Sequence, residues 1–437
     1  MLSSEKIAAY LSELCNQVRW QAAHPRIKKE IEAQIIDERD FYMSQGMNED
    51  DATDRAIEDT GDATLIGARF DRTYRPSPQW EMLAATAAFI IFGFFIKKYI
   101  FTNESNHGSF EHKVIACVIG TAAMCIAYLS DFSRIGRYPK IFYISMMISP
   151  ILVRLWAGAE PGAPFVQFMT LTLPLALSAI IFACRKKGYR GLLISILAFS
   201  VLLCVTLIVP SITGLLICAV SCTVLLCVAV HKKWFGIKRA YGYLIVLMLI
   251  AFISIVLIFY VDHYWMDRLE VAINHYLDFN GTGYISSVTK ELLYGANWIG
   301  PNALYKEYFY RHEVVFFTDL LLTALIVRWG WISFAAIIGF FLIFIVKGFS
   351  LCLKQKSSLG MLVSLAVMLT FTMQVVYYVI YNLGFQFAAP LSLPLISNSR
   401  TGTLVNMWLL GVMLSVFRTG HITREEESIP ANKNIPT

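Results

Sequence analysis

The chain has 437 residues, of which 57% are hydrophobic and 16% charged, with a mean hydropathy of +0.57 and a net charge of +6. Soluble domains run nearer about 25% charged and about 45–50% apolar, so this composition excludes an ordinary soluble protein. The net charge is modest and its placement matters more than its total; a nucleic-acid partner is not expected.

Residues 1–75 are a polar exception, rich in Glu, Asp, Lys and Arg. Apolar residues recur at helical spacing in Ile27-Lys-Lys-Glu-Ile31-Glu-Ala-Gln-Ile35-Ile36. Gly46 reads as a helix stop, and Asn48 caps a following helix whose first turn is acidic. Gly61 ends that helix and Asp62 caps a third. The unit is a small helical bundle, and its polarity excludes a cleavable signal peptide. Its pattern from Glu30-Ile31-Glu32-Ala33-Gln34-Ile35 through Gly46, Ala56, Gly61 and Asp62 resembles the permease-prefix domain of some Gram-positive membrane proteins. Nothing in it suggests catalysis; docking or regulation is expected, with a cytoplasmic partner that the sequence does not identify. Arg72-Thr-Tyr-Arg-Pro-Ser-Pro leads into a linker over residues 76–81, where Pro76 and Pro78 break any helix.

Ten apolar segments follow, near 82–100, 112–130, 140–156, 164–184, 191–209, 212–230, 241–261, 329–348, 359–381 and 403–418. Such lengths suit a hydrocarbon core of roughly 30 Å. Cations cluster after every second segment. They are Arg134, Arg137 and Lys140; Arg185, Lys186, Lys187 and Arg190; Lys232, Lys233, Lys238 and Arg239; Lys347, Lys354 and Lys356. By the positive-inside rule these loops are cytoplasmic, and so are both termini, including a tail at 419–437. The expected fold is an all-α polytopic protein of the cytoplasmic membrane. Most of the nine cysteines fall inside apolar runs, where Cys acts as a small hydrophobe, and none shows a disulfide or zinc spacing.

This topology leaves residues 262–328 as one long extracytoplasmic loop between the seventh and eighth segments. A loop of that length is usually functional or disordered. Its aromatics, apolar stretches and Gly-rich turns argue against disorder. Near its end, Asp319 is a lone carboxylate inside Val-Val-Phe-Phe-Thr-Asp-Leu-Leu-Leu-Thr-Ala-Leu-Ile-Val. An ionised group among such side chains is costly and marks a functional site by default. The apolar run ending at Val327 reads as a re-entrant or interfacial helix, which sets Asp319 near the outer surface, facing a groove. The alternative is local: Thr318 caps that helix and Asp319 complements its dipole in the first turn. The histidines of the loop, His263, His275 and His312, match no metal spacing.

Three stretches, in order, resemble the SEDS family (FtsW, RodA and SpoVE), the polytopic peptidoglycan polymerases of bacterial growth and division. The first is Arg268-Leu-Glu, Asp278-Phe-Asn-Gly-Thr-Gly-Tyr284 and Leu292-Leu-Tyr-Gly-Ala-Asn-Trp-Ile-Gly-Pro-Asn302. The second is Thr318-Asp319-Leu-Leu-Leu through Gly330, similar to the family's H-T-D-F-I-F-A-V-I-G-E-E-L-G. The third runs from Gln374 through Asn382-Leu-Gly384 to Pro390-Leu-Ser-Leu-Pro-Leu-Ile-Ser397. Val209-Pro210-Ser-Ile-Thr-Gly214 is a fainter fourth. The chain also departs from the family. Phe317 replaces the His, Val327 and Arg328 replace the Glu pair, and Ser399-Arg400 replaces a Gly-Gly. Of an early P-S-E-x-x-K motif, Pro164-Phe-Val-Gln-Phe-Met keeps only the outline.

The resemblance implies ten membrane helices over residues 82–418 and glycosyl transfer between lipid II molecules (undecaprenyl pyrophosphate disaccharide-peptides) outside the membrane. It implies Asp319 as general base toward an acceptor hydroxyl. Cationic charge, or a divalent metal (Mg or Mn), would take up the charge of the leaving pyrophosphate. Lys290, Lys306, Arg311, Arg328 and Arg400 are the candidate cations, with Ser397 beside them as a further substrate-binding residue. For Lys290 and Lys306 the competing reading is a solvated loop, and for Arg400 a headgroup anchor. The implied partner is a class B penicillin-binding protein. Two other functions stay open: a non-catalytic scaffold or regulator of an envelope complex, favoured by the missing Glu pair, and a carrier of lipid-linked precursors. Uncharged spans at 191–209 and 241–261 count against the carrier.

Overall fold

The computed structural model describes residues 2–75, 77–100, 107–156, 164–209, 211–260, 270–273, 283–302, 319–396 and 399–420. It divides into two units, Met1–Pro78 and Gln79–Thr437.

The first unit holds four helices: α1 (Leu2–Asn16), α2 (His24–Ser44), α3 (Glu49–Thr60) and α4 (Ala63–Thr73). Expected stops and caps are in place. Gly46 and Gly61 sit at φ +94° and +98°, a region glycine enters without a Cβ penalty. The Asn48 side chain accepts from the Glu49 amide and that of Asp62 from the Thr64 amide. The sequence reading began the bundle at Ile27 and passed over α1. That helix supplies Ile7, Leu11 and Leu14 to the same core as Ile27, Ile31 and Ile35. Their spacing of four and three residues is the signal that would have found it. The Tyr10 hydroxyl donates to the Gly61 carbonyl at 2.8 Å, tying α1 to the α3–α4 turn.

All described secondary-structure elements of the second unit are helices. In chain order come α5 (Trp80–Ile100), α6 (His107–Leu129), α7 (Ser133–Arg137), α8 (Pro139–Trp156), α9 (Pro164–Met169) and α10 (Leu173–Ala183). Then follow α11 (Gly188–Ile208), α12 (Ile212–His231), α13 (Arg239–Tyr260) and α14 (Tyr284–Tyr294). The last four are α15 (Leu321–Trp329), α16 (Trp331–Leu353), α17 (Ser358–Asn382) and α18 (Arg400–Thr419). The expected apolar segments fall on helices, with 164–184 divided between α9 and α10, and among the described residues six helical spans are long and apolar enough to cross a bilayer. Only helices and closed barrels satisfy every backbone group without water, so apolar chain of this length must coil.

Burial sorts the helices. α17 and α18 are each 83% buried, whereas α16 is 28% and α11 is 39% buried, so the first two form the hub and the others carry lipid-facing surface. Small residues permit close approach at the hub. Gly411 of α18 lies against the Met124 backbone of α6, and Gly120 of α6 against Met407 of α18. The basic loops gather at one end. Gly136 meets Phe182 and Leu359, the Lys186 amide donates to the Trp234 carbonyl, and Arg185 reaches the Ser358 hydroxyl.

Candidate functional site

At the opposite end from the basic loops, α15 is nine residues long and buries seven of them. At 1.5 Å per residue it rises only about 14 Å, too short to span, in keeping with the interfacial helix expected there. Asp319 is half-buried and stands just ahead of it, with Leu320 at the N-cap and making no side-chain cap bond. The helix starts two residues later than Asp319, so the carboxylate is outside the first turn, contrary to the dipole alternative. Thr318 lies outside the described residues, as do Lys306, Arg311 and Ser397.

The N-terminus of α15 is held from outside. A helix leaves its first amides without internal partners, and burial makes that costly. Here α17 supplies the acceptors. The Leu321 amide donates to the Tyr378 hydroxyl at 3.1 Å, and the Thr323 amide to Asn382 Oδ1 at 3.1 Å. The Thr323 hydroxyl donates to the Asn382 carbonyl at 2.8 Å, and Asn382 Nδ2 donates to the Asp319 carbonyl at 3.0 Å. Tyr378, Asn382 and Thr323 are all fully buried. Together they fix the backbone of Asp319 against the hub helix. In the sequence Asn382 stands out only as part of the third stretch, and Tyr378 is given no role. Their shared face, four residues apart on one helix, was the available signal.

Lys290 belongs to the same end. α14 packs on α15 through Val288 and Leu292. Its other side docks on the segment after α17. The Ser286 hydroxyl donates to the Gly384 carbonyl at 2.5 Å, and Gln386 Nε2 donates to Thr289 Oγ1 at 3.1 Å. Gly384 sits at φ +93°, where a Cβ would press on the stem of Lys290. The Lys290 ammonium lies 5.3 Å from the Phe385 ring and reaches the Ala272 carbonyl at 3.4 Å. Burial pulls its pKa below the ordinary lysine value. Lys290 is thus a partly buried side chain packed against the segment after α17.

Arg328 is not brought to Asp319: it occupies the last turn of α15, nine positions and about 14 Å of helical rise away. Arg400 is the first residue of α18, exposed, behind a Ser399 side chain that accepts from the Gly402 amide. The segment leading to it is anchored from two helices, α17 and α12. Gln374 Nε2 donates to the Ser392 carbonyl, the Tyr377 hydroxyl to Ala388 and the Thr213 hydroxyl to Ala389. Leu395 is held at φ +65°, a conformation a branched residue keeps only when its surroundings impose it. Residues 295–302 close the far end of α15: the Asn302 amide donates to the Val327 carbonyl at 2.8 Å and the Gly300 amide to Trp329.

An apolar groove of about 780 Å³ runs between α5 and α16, walled by Phe92, Phe95, Ile337 and Phe340 and ending at Trp329 and Ile396. Its end reaches the residue before Ser397. Trp298 is exposed and lies outside this groove. Among the described residues no three His, Cys, Asp or Glu side chains cluster as a metal site.

The model of the FtsW/RodA/SpoVE family, described as cell cycle protein, matches residues 79–421. No curated protein sequence matches. Among solved structures, a chain of a peptidoglycan synthase complex, examined for the coordination of polymerization and crosslinking, superposes with a TM-score of 0.61 at 17% identity. It covers 78% of this chain and 98% of its own. The rod shape determining protein RodA of Thermus thermophilus, solved as found and as an aspartate-to-alanine variant, gives a TM-score of 0.54 at 16% identity. There the cover is 79% of this chain and 98% of RodA. The likeness to these structures shows the fold; the family match over most of the length shows kinship, and the chain belongs to the FtsW/RodA/SpoVE family of multi-pass membrane proteins.

Proposed function

We propose that the chain works in cell-wall synthesis as a peptidoglycan glycosyltransferase that polymerises lipid II at the outer face of the cytoplasmic membrane. The observation that carries this reading is Asp319, a half-buried carboxylate whose backbone is clamped by Asn382 at the end remote from the basic loops. With those loops cytoplasmic, the site and its carboxylate face outward and both termini face inward.

Asp319 takes the proton of an acceptor sugar hydroxyl as that oxygen attacks the anomeric carbon of the donor. The bond to the polyprenyl pyrophosphate breaks on the opposite side, and the electron pair leaves with the phosphate oxygen. General-base assistance of this kind contributes about 10²–10⁴-fold. Lys290, packed at the same end, offsets the charge of the leaving group, and Arg400 and Ser397 are further substrate-binding candidates. The apolar groove between α5 and α16 suits a polyprenyl chain. No step here is routed through a metal ion. A class B penicillin-binding protein would crosslink the product.

A second reading, a non-catalytic scaffold of an envelope complex, is favoured by Val327 and Arg328 standing where the family carries two glutamates. Polymerisation of purified lipid II by the wild type and by Asp319→Ala, each alone and with the penicillin-binding protein, separates the two. Glycan from the wild type only supports the transferase. Equal glycan from both removes Asp319 from the chemistry, and none from any preparation favours the scaffold.

A further inference from the structure

The basic-loop end of the membrane domain carries a second, unrelated cavity. It has a volume of about 340 Å³ and lies between the end of α6, the α7–α8 turn and α18. Its membrane-embedded part is apolar, built from Ile126, Ile141, Phe142 and Val412 with Trp408. Its rim is polar, formed by Ser130, Asp131, Arg134 and Tyr138. One face of the cavity thus matches hydrocarbon and the other a headgroup, within a single groove at the membrane border.

Charge decides which headgroup. Arg134 is exposed on the rim, Arg137 and Lys140 are exposed next to the lining residues Tyr138 and Ile141, and among the described residues none of the three has an acidic partner. The one acid, Asp131, already accepts from the Ser133 amide at 2.9 Å as the turn into α7 begins. Arg418 adds a fourth cation one turn beyond Ser415, which lines the cavity. Its guanidinium donates to the Leu129 carbonyl at 3.2 Å and lies over the Tyr128 ring, and among the described residues its Nε has no acceptor. A buried donor without a partner there is rare and favours a further polar group beside it. A soluble phosphate would answer the cations but leave the apolar half uncovered. A zwitterionic lipid would bring an ammonium among four cations.

We infer that this groove binds one anionic phospholipid, its phosphate among Arg134, Lys140 and Arg418 and its acyl chain along Trp408 and Phe142. Such a site would anchor α6, α8 and α18 to the lipid leaflet on the basic side, independently of any transferase chemistry at the other end.

Native mass spectrometry of the full-length protein in neutral detergent tests this, titrating phosphatidylglycerol or phosphatidylethanolamine with identical acyl chains. Phosphatidylglycerol is expected to form a one-lipid adduct that persists after phosphatidylethanolamine has been stripped. Each of Arg134→Gln and Lys140→Gln, both on exposed side chains, is expected to weaken it about fivefold. Val412→Trp, which fills the groove without changing charge, is expected to abolish it. Equal retention of both lipids overturns the inference. So does an equal loss from Lys232→Gln with Lys233→Gln, which would reduce the effect to general basic charge. Displacement by water-soluble glycerophosphoglycerol would show that the headgroup alone suffices, and would also overturn it.

Discussion

Asn382→Ala tests whether the end of α17 holds Asp319 in place. The substitution removes four contacts at once: the acceptor for the Thr323 amide at 3.1 Å and for the Thr323 hydroxyl at 3.2 Å, a donor to the Asp319 carbonyl at 3.0 Å and one to the Tyr378 carbonyl at 2.9 Å. The Thr323 hydroxyl keeps its bond to the backbone carbonyl of residue 382, and the Tyr378 carbonyl sits inside a helix, so neither is orphaned. The Asp319 carbonyl, on a half-buried residue, regains water. The Thr323 amide cannot, because Thr323 is fully buried. An unsatisfied buried amide costs about 1–3 kcal/mol, and the volume vacated by the side chain adds to it, so about 2–3 kcal/mol is expected. Tyr378→Phe orphans the Leu321 amide in the same way, for about 1–2 kcal/mol. Both variants release the same helix start, so the double variant should cost less than the sum by about 1 kcal/mol. Unfolding in mixed detergent micelles measures all three. Lipid II polymerisation should fall about 10²-fold in Asn382→Ala, since a carboxylate displaced by about 1 Å loses that much. A cost under about 0.5 kcal/mol with strict additivity, or full activity, would refute the clamp.

Asp319→Asn should cut polymerisation by about 10²–10⁴-fold while leaving unfolding within about 1 kcal/mol, because the backbone contact to Asn382 remains. Gly330→Ala should destabilise by about 2–3 kcal/mol: Gly330 sits at φ +91° and a Cβ there would collide with the Trp298 carbonyl, so thermal unfolding must shift downward. Lys290 holds its proton less tightly folded than unfolded, so just below pH 10.5 the unfolded chain binds more protons and stability should rise with pH. Lys290→Met should flatten that rise in unfolding scans across the alkaline range.

Much of the molecule was legible in one dimension. Ten apolar segments, the alternation of basic loops, the caps at Asn48 and Asp62 and the stops at Gly46 and Gly61 all follow from local rules. Bilayer thickness, helical period and backbone dihedrals act over neighbouring residues, so a sequence displays them directly. The lone carboxylate was visible for the same reason: Asp319 interrupts an apolar run. The site around it was not. Tyr378 and Asn382 lie 59 and 63 positions from the carboxylate they position, and no periodicity links an acceptor on one helix to an orphan amide on another. Helix α1 carries a local signal in the spacing of Ile7, Leu11 and Leu14, and packing against Ile27 and Ile35 joins it to the bundle core. Arg328 and Lys290 looked equivalent as charges in a loop. Folding separated them, placing one at the far end of α15 and pressing the other against Gly384. Sequence alone determined which segments enter the membrane and where a costly charge lies. Which side chains surround that charge depended on helix packing, because contacts between distant segments are set by shape and burial rather than by spacing.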